Sequence, residues 1–424
     1  MTLYGFRYGK ALMAALMLFG LSLALSKSAS NVLIAFVFFA TILFAAHYSS
    51  FRKIIVNRAR QPLLLPLFLY FGIALVGVLF TAKMSDGIGV VDKSFGLLLV
   101  YVLVAILLDS IEDRETSDRK AHELLFFFLA GIFILNVIGI TTFFGIIGHK
   151  KYSLPLAPLN VHHIWFSNLN ALGLYVATAF LLFHPKAKRS GPRLFLFSFL
   201  LLAVCCILLS ISRTAWFGVL LTAVIITYLV MRNRSLFLVT LATGALACVL
   251  LYLLSSVVHD RVTTIVSDIS SFLSGNPDTS IGRRLLMWKT AFSMFLANPL
   301  TGVGTGDYVA TITDYVKKGS LPGYMMGYNQ PHNIYMYALA TNGFPGFAAL
   351  LFVFYRSLKF STGILKSERG GKFFAFIAVA TAIHFMIAGM TDSFFNIQIL
   401  RYSFAFVVGI CLRNSILQTS QPQS

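Results

Sequence analysis

Twelve apolar runs, each near the length of a bilayer-spanning helix, govern what this chain folds into. They cover 11–26, 31–48, 62–82, 94–110, 124–147, 164–184, 194–210, 215–230, 236–256, 333–355, 373–390 and 396–412. In hydrocarbon every backbone N–H and C=O must be satisfied inside the protein, which leaves helices or closed barrels as spanning structures. The runs are continuous and do not alternate, so they read as helices. Of the 424 residues, 58% are hydrophobic and 12% charged. An ordinary soluble domain carries roughly twice that charge, so a soluble enzyme and a disordered tail protein are both excluded. The fold class expected is an all-α polytopic membrane protein with about 12 transmembrane helices.

The formal net charge of +19 then needs an explanation. Lys and Arg accumulate in cytoplasmic loops. With the N-terminus inside, the inner segments hold 21 of the 34 basic residues, so both termini are expected in the cytoplasm. Arg7, Lys10, the first run and Ser26-Lys27-Ser28-Ala29 also outline a signal peptide, but a retained first span is the preferred reading. The inner side nets +14 and the outer side +5, the latter centred on Arg213, Arg261, Arg283, Arg284 and Lys289. Such a patch suits anionic lipid phosphate, not nucleic acid. Cys205, Cys206, Cys248 and Cys411 lie in apolar runs and read as small buried hydrophobes.

Three regions follow: residues 1–256 with nine spans, an outer segment 257–332, and residues 333–424 with three spans and a cytoplasmic tail. A connection as long as the outer one is usually functional. It opens with Ser/Asp-rich turns, breaks at Gly275-Asn276-Pro277-Asp278, and continues as an amphipathic helix from Gly282 to Ala297. Leu285, Trp288, Phe292 and Phe295 share one face of that helix, with Arg283, Arg284 and Lys289 toward another. Gly302-Val303-Gly304-Thr305-Gly306 follows, with neither a preceding strand nor a Lys-Ser/Thr, and reads as a plain turn.

The outer side has no Glu, no Asp-x-Asp pair and no His/Asp cluster at metal spacing, so neither a metal nor a cofactor is expected. It holds arginine and histidine instead. Arg213 sits in the polar knot Ser210-Ile211-Ser212-Arg213-Thr214-Ala215-Trp216. Arg283 and Arg284 add guanidinium groups able to grip phosphate. His332, in Gln330-Pro331-His332-Asn333, stands where the long segment re-enters a helix and suits general-base work on a hydroxyl. His162 and His163 are candidates for substrate contact, with Lys289, Asn333 and Trp216. His384 reads as a hydrogen-bonded histidine of the bundle, and Asp392 could orient a histidine or pair with Arg401. Several arginines with a base suit displacement of a lipid-linked pyrophosphate by a hydroxyl. A transporter for an anionic substrate is the competing class.

Three pieces together resemble the O-antigen ligase and polymerase superfamily of bacterial envelope enzymes. They are Leu209 to Trp216, Ser280-Ile281-Gly282-Arg283-Arg284 running to Asn298-Pro299-Leu300-Thr301-Gly302-Val303-Gly304, and Pro331-His332-Asn333 with Asn342-Gly343-Phe344-Pro345-Gly346. The resemblance implies a GT-C-like, inverting, metal-independent glycosyltransferase of the bacterial inner membrane whose active site faces the periplasm. It would move O-antigen glycan from undecaprenyl pyrophosphate to lipid A–core. It matches Arg213 to the family's Ser-x-Ser-Arg arginine, Arg283 or Arg284 to its loop arginine, His332 to its histidine and Asp392 to its acidic residue. The pair His162-His163 departs from an Arg-containing version of the segment before span 6. O-antigen polymerases and protein O-oligosaccharyltransferases share this layout. The chain's length favours ligase.

Overall fold

The computed structural model describes residues 7–48, 61–111, 113–147, 154–231, 233–366 and 371–419. The basic segment 51–60 together with Glu112, Lys150, Lys151, Arg232, Glu368 and Arg369, all part of the charge count, and both chain ends lie outside the described residues. The fold is all-α. Helices α1 (Arg7–Leu25), α2 (Lys27–His47), α3 (Leu64–Gly77), α4 (Met84–Asp109), α5 (Arg114–Phe143) and α6 (His163–Phe183) come first. Next are α7 (Ser190–Leu209), α8 (Arg213–Val230), α9 (Arg234–Leu254), α10 (Ser256–Leu273), α11 (Ser280–Ala297) and α12 (Tyr308–Lys317). The chain ends with α13 (Ile334–Lys366), α14 (Lys372–Ala388) and α15 (Gln398–Thr419).

Each of the twelve apolar runs falls on one of these helices. Among the described residues eight helices are long and apolar enough to cross a membrane, with shorter apolar helices at Gly9–Leu25, Leu64–Phe80 and Lys372–Ala388. The protein is therefore a multi-pass membrane protein. Helix ends depart from the runs. Helices α4 and α5 begin at Met84 and Arg114, about ten residues before their apolar stretches, and α13 continues to Lys366. Hydropathy marks the part that meets lipid, whereas a helix continues through any polar sequence that keeps its hydrogen bonds.

Helix α14 is buried along almost its whole length, and α9 has no buried residue, which makes it peripheral. Polar pairs tie the centre together: His384 bonds Tyr175 Oη and Asn168 Oδ1, each at 2.9 Å, and Asn136 donates to Asn170 at 2.6 Å. His384 is thus a hydrogen-bonded histidine of the bundle. Cys206 and Cys411 are buried, but Cys205 and Cys248 face outward, since an apolar helix surrounded by lipid need not turn small hydrophobes inward.

Residues counted to one side by charge meet at one end. Arg413 Nε contacts Asp109 Oδ1 at 2.6 Å, and Arg356 donates to the Pro62 carbonyl. At the other end Gln398 donates to Asn31 and Asp307 accepts from the Ala82 N–H.

The outer segment is more helical than its Ser/Asp content suggested: the turns expected at its start form α10, capped by Ser255. Helix α11 buries the face that carries its small and methionine side chains. Gly282, Met287, Thr290, Ala291 and Met294 are buried, whereas Phe292 is 44% exposed. Small side chains allow α11 close to α13, Trp288 packs beside that face, and Phe292 is left outside. The Gly302–Gly306 turn fastens this segment to the bundle. The Val303 N–H donates to the Ala340 carbonyl and the Thr305 N–H to that of Gly77. Gly302 and Gly304 have φ of +63° and +104°, and a Cβ on either would meet backbone of α13 or of the turn after α3.

Candidate active site

His332 ends the outer segment and immediately precedes α13. Trp288 of α11 donates its indole N–H to the Pro331 carbonyl at 3.0 Å, and the Ile334 N–H donates to the Gly389 carbonyl at 2.8 Å. Asn333 caps α13, its Oδ1 accepting from the Tyr335 and Met336 N–H groups. Pinned on both sides, His332 takes a left-handed φ of +49°. Its Nδ1 lies 3.2 Å from Asp392 Oδ1. A carboxylate only accepts, so Nδ1 carries the proton there, and in the neutral imidazole Nε2 is the nitrogen with the free lone pair. Asp392 is 2% exposed at its side chain and His332 26%. The same Oδ1 accepts from the Ser393 N–H at 2.8 Å and from Gln330 at 3.3 Å. Asp392 therefore pairs with His332 and not with Arg401, whose Nη1 donates to the Phe395 carbonyl.

The arginines approach from two other elements. Ser212 caps α8, which makes Arg213 its first residue, and Thr214 accepts from Thr391, beside Asp392. Arg213 Nη1 stands 3.7 Å from Asp268 Oδ2 of α10, while its buried Nε and Nη2 have no hydrogen-bond partner. Arg261 and Arg284 act electrostatically on Arg213. On α11 the two arginines separate. Arg283 is tied to Asp278 at 2.5 Å, to Tyr328 Oη at 3.2 Å and to the Tyr324 ring at 4.9 Å. Those bonds to Tyr328 and Asp278 hold its pKa above the usual arginine value. Arg284 lines a cavity with His332, and burial lowers its pKa, opposed by the Asp392 and Tyr328 charges.

His162 caps α6 and stacks on His163, ring centroids 4.4 Å apart at 29°. Burial lowers the His162 pKa, opposed by Asp392 and reinforced by His332, so the pair borders the His332–Asp392 unit.

Two cavities meet here. One of about 370 Å³ is lined by Arg283, Arg284, Tyr328 and His332 among others. A second of about 730 Å³ lies against His332 on the side of α2, α4 and α15. Of the candidates, His332, Arg283 and Arg284 line these cavities, Asp392 bonds His332, and Arg213 and the His162–His163 pair lie close enough to act on Arg284 and on Asp392 and His332. Three candidates lie elsewhere or are otherwise engaged. Trp216 donates to the Ile207 carbonyl at 3.0 Å, Asn333 is taken up by the cap, and exposed Lys289 lines neither cavity. Among the described residues no three His, Cys, Asp or Glu converge as metal ligands.

Residues 197–351 match the family described as O-antigen ligase. That match supports membership of the O-antigen ligase superfamily. An uncharacterized protein of Haemophilus influenzae is 23% identical over 307 residues, covering 71% of this chain and 73% of the relative. The stretch matched to the O-antigen ligase superfamily contains Arg213, Arg283, Arg284 and His332, whereas Asp392 and the histidine pair join from outside it. Asp268 and Gln330 emerge only from the structure. In sequence Asp268 reads as an ordinary acid among Ser/Asp-rich turns, and nothing local announces a partner 55 residues away.

Proposed function

We propose that this chain is a GT-C-like glycosyltransferase of the bacterial inner membrane, acting at the periplasmic face. It moves an O-antigen glycan from undecaprenyl pyrophosphate to a lipid A–core hydroxyl, without a metal and with inversion. One observation carries the reading: His332, oriented by buried Asp392 at 3.2 Å, stands beside Arg284 in a cavity able to take a phosphate.

In this scheme the acceptor hydroxyl attacks the anomeric carbon of the donor sugar from the face opposite the pyrophosphate. The new C–O bond forms as the bond to the phosphate oxygen breaks. His332 Nε2 takes the hydroxyl proton, and Asp392 stabilises the imidazolium that results. Arg284 and Arg213 stabilise the negative charge growing on the departing pyrophosphate, the unpaired donors of Arg213 being available for it. Arg283 borders the same cavity.

The test is glycan transfer by the purified full chain in lipid nanodiscs containing EDTA, with a polyprenyl pyrophosphate donor. Transfer to lipid A–core that His332→Ala abolishes supports the proposal. A requirement for divalent metal, or unchanged transfer by His332→Ala, sinks the mechanism. Transfer only to a second lipid-linked O-unit identifies a polymerase, and transfer only to a peptide a protein glycosyltransferase. Ser320→Cys in the outer segment, labelled in intact cells by an impermeant maleimide in a cysteine-free background, checks the sidedness.

A further inference from the structure

The two cavities at the site share His332 and no other lining residue. A transferase base must touch the attacking hydroxyl, so a base in the wall between two cavities suits a site with two substrates. With the pyrophosphate assigned to the arginine cavity, the 730 Å³ space is free for the acceptor. Its volume lies within the roughly 300–1,000 Å³ typical of ligand clefts.

Its chemistry is specific. Asn329, Gln330, Asn396 and Gln398 bring carboxamides, which both donate to and accept from sugar hydroxyls. Asn396 is linked through Gln330 to Asp392, so this polar row runs from the base into the cavity. Among the amides stand three cations, Lys27, Lys93 and Arg401. Arg401 is 4% exposed, its Nη1 donates to the Phe395 carbonyl, and its Nε has no hydrogen-bond partner. Lys93 is close enough for its charge and that of Arg401 to act on each other. Of the two carboxylates in the lining, Asp86 is engaged by Lys83 at 3.4 Å, and Asp92 alone acts on both Lys93 and Arg401, while Lys27 lies over the Trp165 ring. Gathering like charges in a sheltered cavity is costly, as is leaving a buried donor unpaired. A bound anion relieves both.

We propose that this cavity selects an acceptor saccharide bearing an anionic substituent, which Arg401 and Lys93 hold near the hydroxyl that His332 deprotonates. The proposal rests on the transferase reading for the word acceptor, but the preference for an anionic sugar is a binding property of its own.

Both are measured on the purified full chain in nanodiscs of neutral lipid. Binding is titrated with one oligosaccharide in three forms: neutral, phosphorylated and carboxylated. Binding of a polyprenyl pyrophosphate and glycan transfer are followed in parallel. At least one charged form is expected to bind about ten- to a hundredfold tighter than the neutral one, the scale of charge-assisted hydrogen bonds. Comparing the two charged forms identifies the substituent. Lys93→Gln and Arg401→Gln should each remove most of that advantage and raise the acceptor KM, with polyprenyl pyrophosphate binding unchanged. Because Arg401 is buried, Lys27→Gln provides a surface variant that acts in the same direction without threatening the fold. Equal binding of all three forms overturns the proposal, as does loss of polyprenyl pyrophosphate binding in the Lys93 and Arg401 variants. Charge-selective binding without any transfer supports the subsite and counts against the transferase reading. Transfer indifferent to acceptor charge does the reverse.

Discussion

Replacing Asp392 by Asn keeps the shape of the side chain and removes its charge, isolating what the carboxylate does for His332. A single oxygen, Oδ1, accepts from His332 Nδ1 at 3.2 Å, from the Ser393 N–H at 2.8 Å and from Gln330 at 3.3 Å. In Asp392→Asn the amide can place either its oxygen or its NH₂ at that point. The Ser393 N–H is fixed in the backbone and donates only, so the oxygen stays where Oδ1 was. His332 Nδ1 still donates, and Nε2 remains the free base. What is lost is the difference between a charge-assisted and a neutral hydrogen bond, about 1–2 kcal/mol. If the imidazolium forms in the transition state, kcat falls by roughly 5- to 30-fold. His332→Ala removes the base altogether and should cost about 10²–10⁴-fold.

The assay is the initial rate of transfer at saturating donor and acceptor, run as a double-mutant cycle. In the His332→Ala background the further change Asp392→Asn should cost almost nothing, because the carboxylate acts through the histidine. Thermal unfolding of the solubilised variants checks that Asp392→Asn leaves the fold intact. Two results refute the reasoning. One is an Asp392→Asn loss as large as that of His332→Ala, meaning the amide has inverted and reversed the tautomer. The other is losses that multiply in the double variant, meaning the two side chains act independently.

Three other perturbations have worked directions. Gly343 in α13 has φ +62° and ψ −159°, and an added Cβ would meet the backbone of Pro299 and Leu300; Gly343→Ala should destabilise by about 1–3 kcal/mol or more in detergent unfolding. Arg413 and Asp109 form a buried pair with side chains 1% and 3% exposed, so Arg413→Met alone should cost about 3–5 kcal/mol in the same measurement, and adding Asp109→Leu should recover most of it. Burial lowers the folded-state pKa of His162, so its contribution to stability is full above the unfolded value near 6.5 and declines as the pH falls through it. Burial pushes His163 down as well, to about 4, so His162→Gln should make that acid limb of unfolding free energy against pH shallower and the double change with His163→Gln should make it shallower still.

The spans were legible because apolar length is nearly a complete specification of a membrane helix. Their ends were not, since α4 and α5 continue through Asp86, Asp92 and Arg119 without a break in backbone hydrogen bonding. The buried face of α11 was not legible for a related reason. In water the apolar face goes inward, but beside lipid the inward face is the one that packs closely. That face carries Gly282, Thr290 and Ala291, while Phe292 stays outside. His332 stood out because proline and a cap residue flank it at a helix start. Its alignment with Asp392 was only one of two options in the sequence, because 60 residues separate them. The Arg283-Arg284 ambiguity depended on Asp278, Tyr324 and Tyr328, three side chains that single out Arg283 only once the segment is folded. The cations of the larger cavity come from α2, α4 and α15, and Arg401 stood out in the sequence only as a possible partner of Asp392, not of Lys93 or Lys27.

The outer surplus of charge understates the field at the site. Helices α6, α8, α11 and α13 all begin there, carrying His163, Arg213, the Arg283-Arg284 pair and the residue after His332-Asn333 at their first turns. Each N-terminus, though capped, carries roughly half a positive charge from the aligned peptide dipoles. Two of these starts are preceded by non-glycine residues at positive φ, Ile211 at +50° and His332 at +49°. A β-branched residue there is a genuine outlier, costing about 1–3 kcal/mol. Caps from Ser212 and Asn333 help hold both turns in that geometry. Relaxing either turn to an extended conformation would swing the following helix start, and with it Arg213 or the His332–Asp392 pair, out of register. Strain at two helix starts fits a site whose fixed dipoles and guanidinium groups must already be aimed when charge develops on a departing phosphate.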